Sequence, residues 1–210
     1  MVWKSRHKIT YIHEQDPAAS EILARCLDRC IRRTIRPWKE IVCLCIGSDR
    51  IAGDSLGPLV GGTLSRRQQE GFFVYGTLEQ PVHAMNLREA LADLTLCHPG
   101  ALILAVDASL GCDSHQHHIT VGQGAIRPGS GAGKNLPAVG DIFITGIVSS
   151  FEKGSHRELQ SVDFSRILRM ADTISRGILL SRCRKPHSFT KMQKRLLSAD
   201  SSLFLPMKLI

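Results

Sequence analysis

Apolar residues recur along the chain in two patterns, one typical of amphipathic helices and one typical of buried strands. Spacing of three and four residues predicts helices over 17–35, 56–69, 84–97 and 162–182. Short apolar or alternating runs predict strands over 41–46, 72–75, 101–106, 118–122 and 142–148. Strands that alternate with helices form βαβ units. The sequence therefore predicts an α/β fold, a three-layer α/β/α sandwich with a largely parallel or mixed central sheet.

Length and composition fit one folded unit. The chain has 210 residues, of which 43% are hydrophobic, and such a chain can bury one sizeable core. We predict a single α/β domain over 1–182, with the motif-bearing core at about 41–177, and a basic C-terminal appendage over 183–210. No apolar run approaches the roughly 20 residues that span a bilayer, and the basic start leads into polar sequence. We expect no transmembrane segment and a cytoplasmic protein.

The net charge of +8 favours contact with anions but does not select a partner. Much of the excess lies over 29–36 and 182–195, outside the candidate site segments, so we interpret it as solvated surface. Aromatic residues make up only 5% of the chain, which argues against single-stranded nucleic acid as a partner. The seven cysteines are an odd set without paired CxxC zinc spacing, which indicates reduced thiols.

Acidic side chains follow two of the predicted buried strands. Asp49 and Asp54 lie in the loop over 47–58, between a strand and a helix, and Asp107 ends the strand that begins at Ala101. A lone Asp54 would suit a helix cap. In open α/β sheets, however, ligands bind outside the carboxyl ends of the strands. Two carboxylates there can share a proton, hold a metal or position a water, so we predict that Asp54 and Asp107 form one site.

Four separated segments, in order, resemble the YyaC-type sporulation proteins, which are relatives of the spore germination protease. They read CIGSDRIAGDSLGP (45–58), VYGTLEQPVHAMNL (74–87), AVDASLG (105–111) and VGQGAIRPGSGAGKNLPAVGDIFITGIV (121–148). The resemblance covers about 41–177 and extends more distantly to the hydrogenase maturation endopeptidases, whose core is a sheet between helices. Beyond 183 the chain has no counterpart in that family.

The resemblance implies roles for particular residues. Asp54 and Asp107 match two aspartates that are important in the germination protease. In the maturation endopeptidases the matching acidic residues bind nickel together with a histidine, for which His83 is the best candidate here. No cofactor is certain, and a divalent metal held by Asp54, Asp107 and His83 remains open. Further residues in the shared segments could support substrate binding: Asp49, Glu79, His83, Asn86, Lys134 and Asp141. For Glu79, Asn86 and Asp141 the alternative is a turn or capping role, and for His83 it is a structural histidine. Lys134 could stabilise an oxyanion.

The function implied by the resemblance is that of a spore protease-like peptidase with paired aspartates at strand ends. It would act on a protein during sporulation or germination, with small acid-soluble spore proteins as the substrate class, in the forespore or spore interior. The rival interpretation is a noncatalytic sporulation factor that keeps the fold and binds a protein partner. Binding of DNA or an acidic protein through the basic ends is a third. Substrate, metal and oligomeric state, including a homo-oligomer, stay open.

Overall fold

The predicted apolar runs form one mixed six-stranded sheet. The computed structural model describes residues 9–67, 70–129, 136–150 and 162–183. In these residues the strand order across the sheet is β1-β5-β6-β4-β2-β3. The strands, in chain order, are β1 (Thr10–His13), β2 (Ile41–Cys45), β3 (Phe72–Tyr75), β4 (Leu102–Gly111), β5 (His118–Gln123) and β6 (Ile142–Ser150).

Four neighbouring strands of the sheet run parallel, and two complete it in antiparallel pairs. β3, β2, β4 and β6 pair in parallel, whereas β5 is antiparallel to β6 and β1 is antiparallel to β5. All five residues of β2 are buried. Such a strand is covered on both faces, which explains its continuous apolar run. The prediction of a largely parallel or mixed sheet is confirmed.

Among the described residues, three helices cover one face of this sheet and one helix covers the other. The helices are α1 (Ala19–Arg33), α2 (Leu56–Ser65), α3 (Leu87–Cys97) and α4 (Phe164–Cys183). α1, α2 and α4 pack together over one face, and α3 packs on the opposite face over β2 and β4. The fold is therefore an α/β/α sandwich, as predicted.

Alternation of side chains along the strands divides the core between the two faces. On β2, Cys43 joins the cluster beneath α1, α2 and α4, while its neighbour Leu44 joins the cluster beneath α3. On β4, Val106 faces the first cluster and Ala105 faces the second. Asp107, two residues after Ala105, therefore lies on the α3 face.

The structure adds one strand to the predicted elements and moves several of their boundaries. β1 was not predicted, because its four residues bury only Ile12 and carry almost no periodic signal. α2 ends at Ser65 rather than at Gln69, and α3 starts at Leu87 rather than Ala84. The predicted appendage beyond 183 lies outside the described residues. No helix in the described ranges is long and apolar enough to cross a membrane.

Candidate functional site

The carboxyl ends of β2 and β4 lie side by side at the point where the chain turns in opposite directions. From β2 the chain passes through α2 to β3 on one side, whereas from β4 it continues to β5 and β6 on the other. A crevice at such a switch point is the usual place for a ligand in an open α/β sheet. The two predicted aspartates belong to the segments that border this switch point.

Asp107 lies inside β4 and does not end it, so the predicted strand end at this residue is wrong. The pairing of β4 with β2 stops at Val106, opposite Cys45, while the pairing with β6 continues to Gly111. Pairing with β6 thus keeps β4 extended past the point where its pairing with β2 ends. Asp107 is the first residue past that end and pairs with Thr145. It is therefore still at the carboxyl end of β2, where the sequence placed it.

The loop after β2 folds back over the end of its own strand and brings Asp54 there. The Ser48 N–H donates to the Asp54 carbonyl oxygen at 3.1 Å. Gly47 has φ +143°, and a Cβ atom on it would lie 2.0 Å from that same oxygen. This close approach requires glycine. Asp54 ends a short 3-10 helix over Ala52–Asp54 that contacts β4, and its side chain is half-buried.

A capping role does not account for Asp54. The N-cap position of α2 is Ser55, and no side chain caps the helix there. The Ser55 hydroxyl instead donates to the Ala52 carbonyl oxygen at 2.6 Å. The N-cap position belongs to Ser55 and not to Asp54, and the charge of Asp54 acts on Asp107 of β4.

The electrostatics of the pair distinguish its two members. Asp107 is buried, with 9% of its surface exposed. Burial raises the pKa of the Asp107 carboxyl well above its usual range, the charge of Asp54 raises it further, and a hydrogen bond from the Ala108 N–H opposes the rise. Asp107 therefore holds its proton at pH values where an ordinary aspartate has lost it. Such a pair can supply an acid and a base from two identical side chains.

A row of hydroxyl groups continues from Asp107 along the same face of the sheet. Ser109 lies two residues further along β4, and its hydroxyl is 3.2 Å from the Thr145 hydroxyl on β6. Thr145 in turn is 2.6 Å from the Thr120 hydroxyl on β5. These residues were not predicted as part of the site. The alternation Asp107, Ser109 within β4 was the available signal, but it identifies a polar surface only once β5 and β6 are known to be neighbours.

His83 and Asn86 lie together on the other side of β2. Val82 forms an isolated parallel bridge with Ile46, and its carbonyl oxygen accepts from the Gly47 N–H at 2.8 Å. The Asn86 side chain accepts from the His83 N–H at 2.8 Å and donates to the Pro81 carbonyl oxygen at 2.9 Å. Asn86 therefore shapes the turn before α3, as the turn alternative proposed, and its side chain does not cap the helix. His83 is half-buried and is separated from Asp107 by two strand spacings, about 10 Å.

The structure does not show three of the other predicted supporting residues beside the aspartate pair. Asp49 is exposed in the loop after β2. Glu79 is exposed in a turn, where hydrogen bonds from its own backbone N–H and from the Thr77 hydroxyl lower the pKa of its carboxyl. That role is the predicted turn alternative. Lys134 lies outside the described residues.

Asp141 lies at the amino ends of the parallel strands, whereas the aspartate pair lies at their carboxyl ends, so its predicted place in the site is wrong. It immediately precedes β6 and forms an ion pair with Arg36. Its carboxylate also accepts from the Ile103 N–H at 2.8 Å, near the start of β4. Thr145 lies four residues after Asp141, about 13 Å further along the strand. Asp141 therefore ties together the amino ends of the strands.

The described residues do not form a three-ligand metal site. No group of three or more histidine, cysteine, aspartate or glutamate side chains in the described ranges is arranged to hold a metal ion. Asp54 and Asp107 are close, but His83 does not complete a set with them. The donor set therefore does not fit the metal that the resemblance left open, and the chemistry considered below uses the two carboxyl groups alone.

Comparison with known proteins places the chain in a family. Residues 11–177 match the family described as "Protein of unknown function (DUF1256)". The chain is also 38% identical over 171 residues to the "Uncharacterized protein YyaC" of Bacillus subtilis (strain 168), a match that covers 81% of this chain and 82% of that protein. The match includes both aspartate segments and all six strands except the first residue of β1. The chain therefore belongs to the DUF1256 family, the YyaC-type proteins.

Proposed function

We propose that the chain is a spore protease-like peptidase that acts on a protein substrate during sporulation or germination. The observation that carries the proposal is the buried, proton-retaining Asp107 beside the more accessible Asp54 at the switch point of the sheet. The resemblance of the four sequence segments to the germination protease group supports it. Small acid-soluble spore proteins are the proposed substrate class, and the forespore or spore interior is the proposed location.

The two carboxyl groups divide the chemistry of peptide hydrolysis between them. Protonated Asp107 hydrogen-bonds the scissile carbonyl oxygen and transfers its proton to that oxygen as the carbon is attacked, which gives a neutral tetrahedral intermediate. Asp54 accepts a proton from a water molecule as that water attacks the same carbon. Collapse of the tetrahedral intermediate breaks the C–N bond, and the proton held by Asp54 passes to the leaving amine. Asp107 regains its hydrogen as the carbonyl reforms, so the enzyme ends in its starting state.

Cleavage of purified small acid-soluble spore proteins by the full chain tests this proposal. Asp54→Asn and Asp107→Asn are each expected to lower kcat by about 10²–10⁴-fold, because each removes an acid or a base from the reaction. Asp141→Asn is the matched control, since it makes the same change at the amino ends of the strands, away from the proposed site. Each variant is compared with and without a chelator and with added nickel or zinc, and circular dichroism verifies the fold.

Two outcomes would overturn the proposal. Unchanged cleavage in both folded aspartate variants would remove the carboxyl pair from the chemistry. Absence of cleavage by the wild-type chain under every metal condition would favour the noncatalytic sporulation factor that binds a protein partner. Binding through the basic ends would instead show strong salt dependence and no response to either substitution.

A further inference from the structure

β3 forms one edge of the sheet, next to the candidate site. Within the described residues it pairs with β2 on one side, and no strand pairs with its other side. An edge strand presents backbone N–H and C=O groups that another extended chain can pair with. The first four residues after β3 then turn back, with the Thr77 N–H donating to the Gln80 carbonyl oxygen at 3.1 Å.

The register of β3 shows which backbone groups face outward. The Ile41 N–H donates to the Gly71 carbonyl oxygen at 2.9 Å, and Ile41 pairs with Phe72. In a parallel ladder alternate residues turn both backbone groups to the same neighbour. Phe73 and Tyr75 therefore bond to β2, and Val74 turns its N–H and C=O to the open side. One residue in the middle of β3 thus offers a donor and an acceptor to an added strand.

An open groove of about 700 Å³ runs between this edge and α3. Phe73, with 40% of its surface exposed, and the half-buried Tyr75 provide its apolar wall on β3. Ala90 and Asp93 line it from α3, and His83 lines its far end. The groove thus extends from β3 to His83, the residue that follows the Val82 bridge. That bridge lies at the carboxyl end of β2, the end of the strands that also carries the aspartate pair.

The groove carries one carboxylate, that of Asp93, among its described lining residues. Its described lining includes Asp93, His83 and His98, and neither lysine nor arginine. His98 is paired with the Glu40 carboxylate at 2.8 Å, so Glu40 is already bound to a groove residue. Asp93 has neither lysine nor arginine beside it in the described lining. That carboxylate favours a ligand with a basic side chain at this point of the groove.

We propose that this groove holds an extended segment of the protein substrate, which adds to the outer edge of β3 as a further strand and places a basic side chain near Asp93. The inference rests on the proposed function, because it names how that site would receive its substrate. Backbone pairing at Val74 gives affinity without demanding a sequence, while Phe73, Tyr75 and Asp93 select side chains. The segment continues past His83 toward Asp54 and Asp107.

Binding of labelled nine-residue peptides to the full chain tests the inference separately from cleavage. One pool is degenerate except for a central lysine, a second has a central glutamate, and a third repeats the lysine pool with N-methyl groups on alternate residues. The Asp107→Asn chain is used so that no peptide is consumed. We expect the lysine pool to bind at least about 5-fold more tightly than the glutamate pool, and N-methylation to weaken it at least about 10-fold.

Two variants of α3 provide a matched comparison. Ala90→Trp fills the groove and is expected to weaken binding of the lysine pool by about 10-fold or more. Ala92→Trp puts the same side chain on an exposed position of α3 outside the groove, and is expected to change nothing. Hydrogen exchange on the unsubstituted chain adds a readout that needs no variant, with the Val74 amide gaining protection when the lysine pool is present.

The outcomes separate this inference from the proposed function. Groove-dependent binding without cleavage of any substrate would support the inference and overturn the peptidase proposal. Cleavage that is unchanged by both Ala90→Trp and backbone N-methylation would support the peptidase proposal and overturn the inference. If neither the lysine pool nor the glutamate pool binds the chain, the strand-addition inference is wrong. It is also wrong if the Val74 amide gains no protection while peptides bind.

Discussion

Asp107 is the residue whose environment contributes most to the proposed chemistry. A carboxyl group with 9% of its surface exposed beside a second aspartate is unfavourable when ionised, because burial and like charge both oppose the charged form. Such groups persist where their proton affinity serves a function. In the proposed mechanism, Asp107 therefore costs stability that the chemistry would require, and that cost depends on pH.

Replacement of Asp107 by asparagine is expected to stabilise the protein increasingly as the pH rises. Between the ordinary pKa of 3.8 and the raised folded pKa, the folded state keeps a proton that the unfolded state has lost. The wild-type stability that this proton contributes is thus lost as the pH rises through that window. Each tenfold difference in proton affinity is worth about 1.4 kcal/mol. Urea unfolding at pH 4 and pH 8 measures the difference between the two proteins.

The control for this pH dependence is the exposed Asp172→Asn, which breaks a helix-surface ion pair with Arg176. That substitution is expected to change the free energy of unfolding by less than about 0.5 kcal/mol at either pH. A stability difference for Asp107→Asn that is the same at pH 4 and pH 8 would contradict the raised pKa of Asp107.

At the scale of elements, the loop between β2 and α2 decides where Asp54 lies. Gly47 permits the loop to fold back, and Gly57 permits α2 to begin directly against β2, since a Cβ on Gly57 would lie 2.1 Å from the Ile46 carbonyl oxygen. The GxxxxxGDSLG spacing in the sequence therefore serves the backbone path as much as the aspartate. Asp54 is held at the strand end by these contacts of the backbone.

Gly47→Ala is expected to damage both folding and the proposed cleavage. The added methyl group would meet the Asp54 backbone at 2.0 Å in a left-handed conformation, at a cost of about 1–3 kcal/mol. Gly62→Ala in α2 is the control, because nothing lies within 4 Å of its added Cβ, and it is expected to stabilise by about 0.4–1 kcal/mol. Urea unfolding and kcat/KM measure the two effects. Full activity in Gly47→Ala would show that the loop position is not required.

At the scale of the whole molecule, the two ends of the parallel strands have different roles. The carboxyl ends carry the buried Asp107 and the half-buried Asp54, whereas the amino ends carry the Arg36–Asp141 ion pair. Arg36 also donates to the Gly100 carbonyl oxygen at 2.8 Å and to the Ala101 carbonyl oxygen at 2.6 Å. This network joins the segment after α1 to the starts of β4 and β6. Its role is to hold the sheet together.

Asp141→Asn is expected to lower stability and to leave cleavage unchanged. Loss of the charge weakens the contacts to Arg36 by about 1 kcal/mol, a modest value because Arg36 is 39% exposed. Thermal unfolding and kcat/KM on the proposed substrate measure the separation. A large fall in kcat/KM with no loss of stability would place Asp141 in the site after all.

The sequence by itself determined the class of fold, the order of most elements and the identity of the two aspartates. These depend on local patterns, namely helical spacing, apolar runs and short motifs, and 72–75 shows how closely a strand can be predicted. Its local pattern is sufficient because it is bounded by turn residues on both sides. Asp54 and Asp107 were found in the same way, as acidic residues that follow buried runs.

Only the tertiary structure decided which residues meet. The extension of β4 past Asp107 depends on β6, which lies about 40 residues further along the chain, and β1 exists because β5 pairs with it. Whether Asp141 lies at the amino ends or the carboxyl ends of the strands depends on the direction of β6 within the sheet. Strand pairing and burial are non-local, and a pKa follows from them. The proton held by Asp107 is therefore a property of the fold that no local pattern encodes.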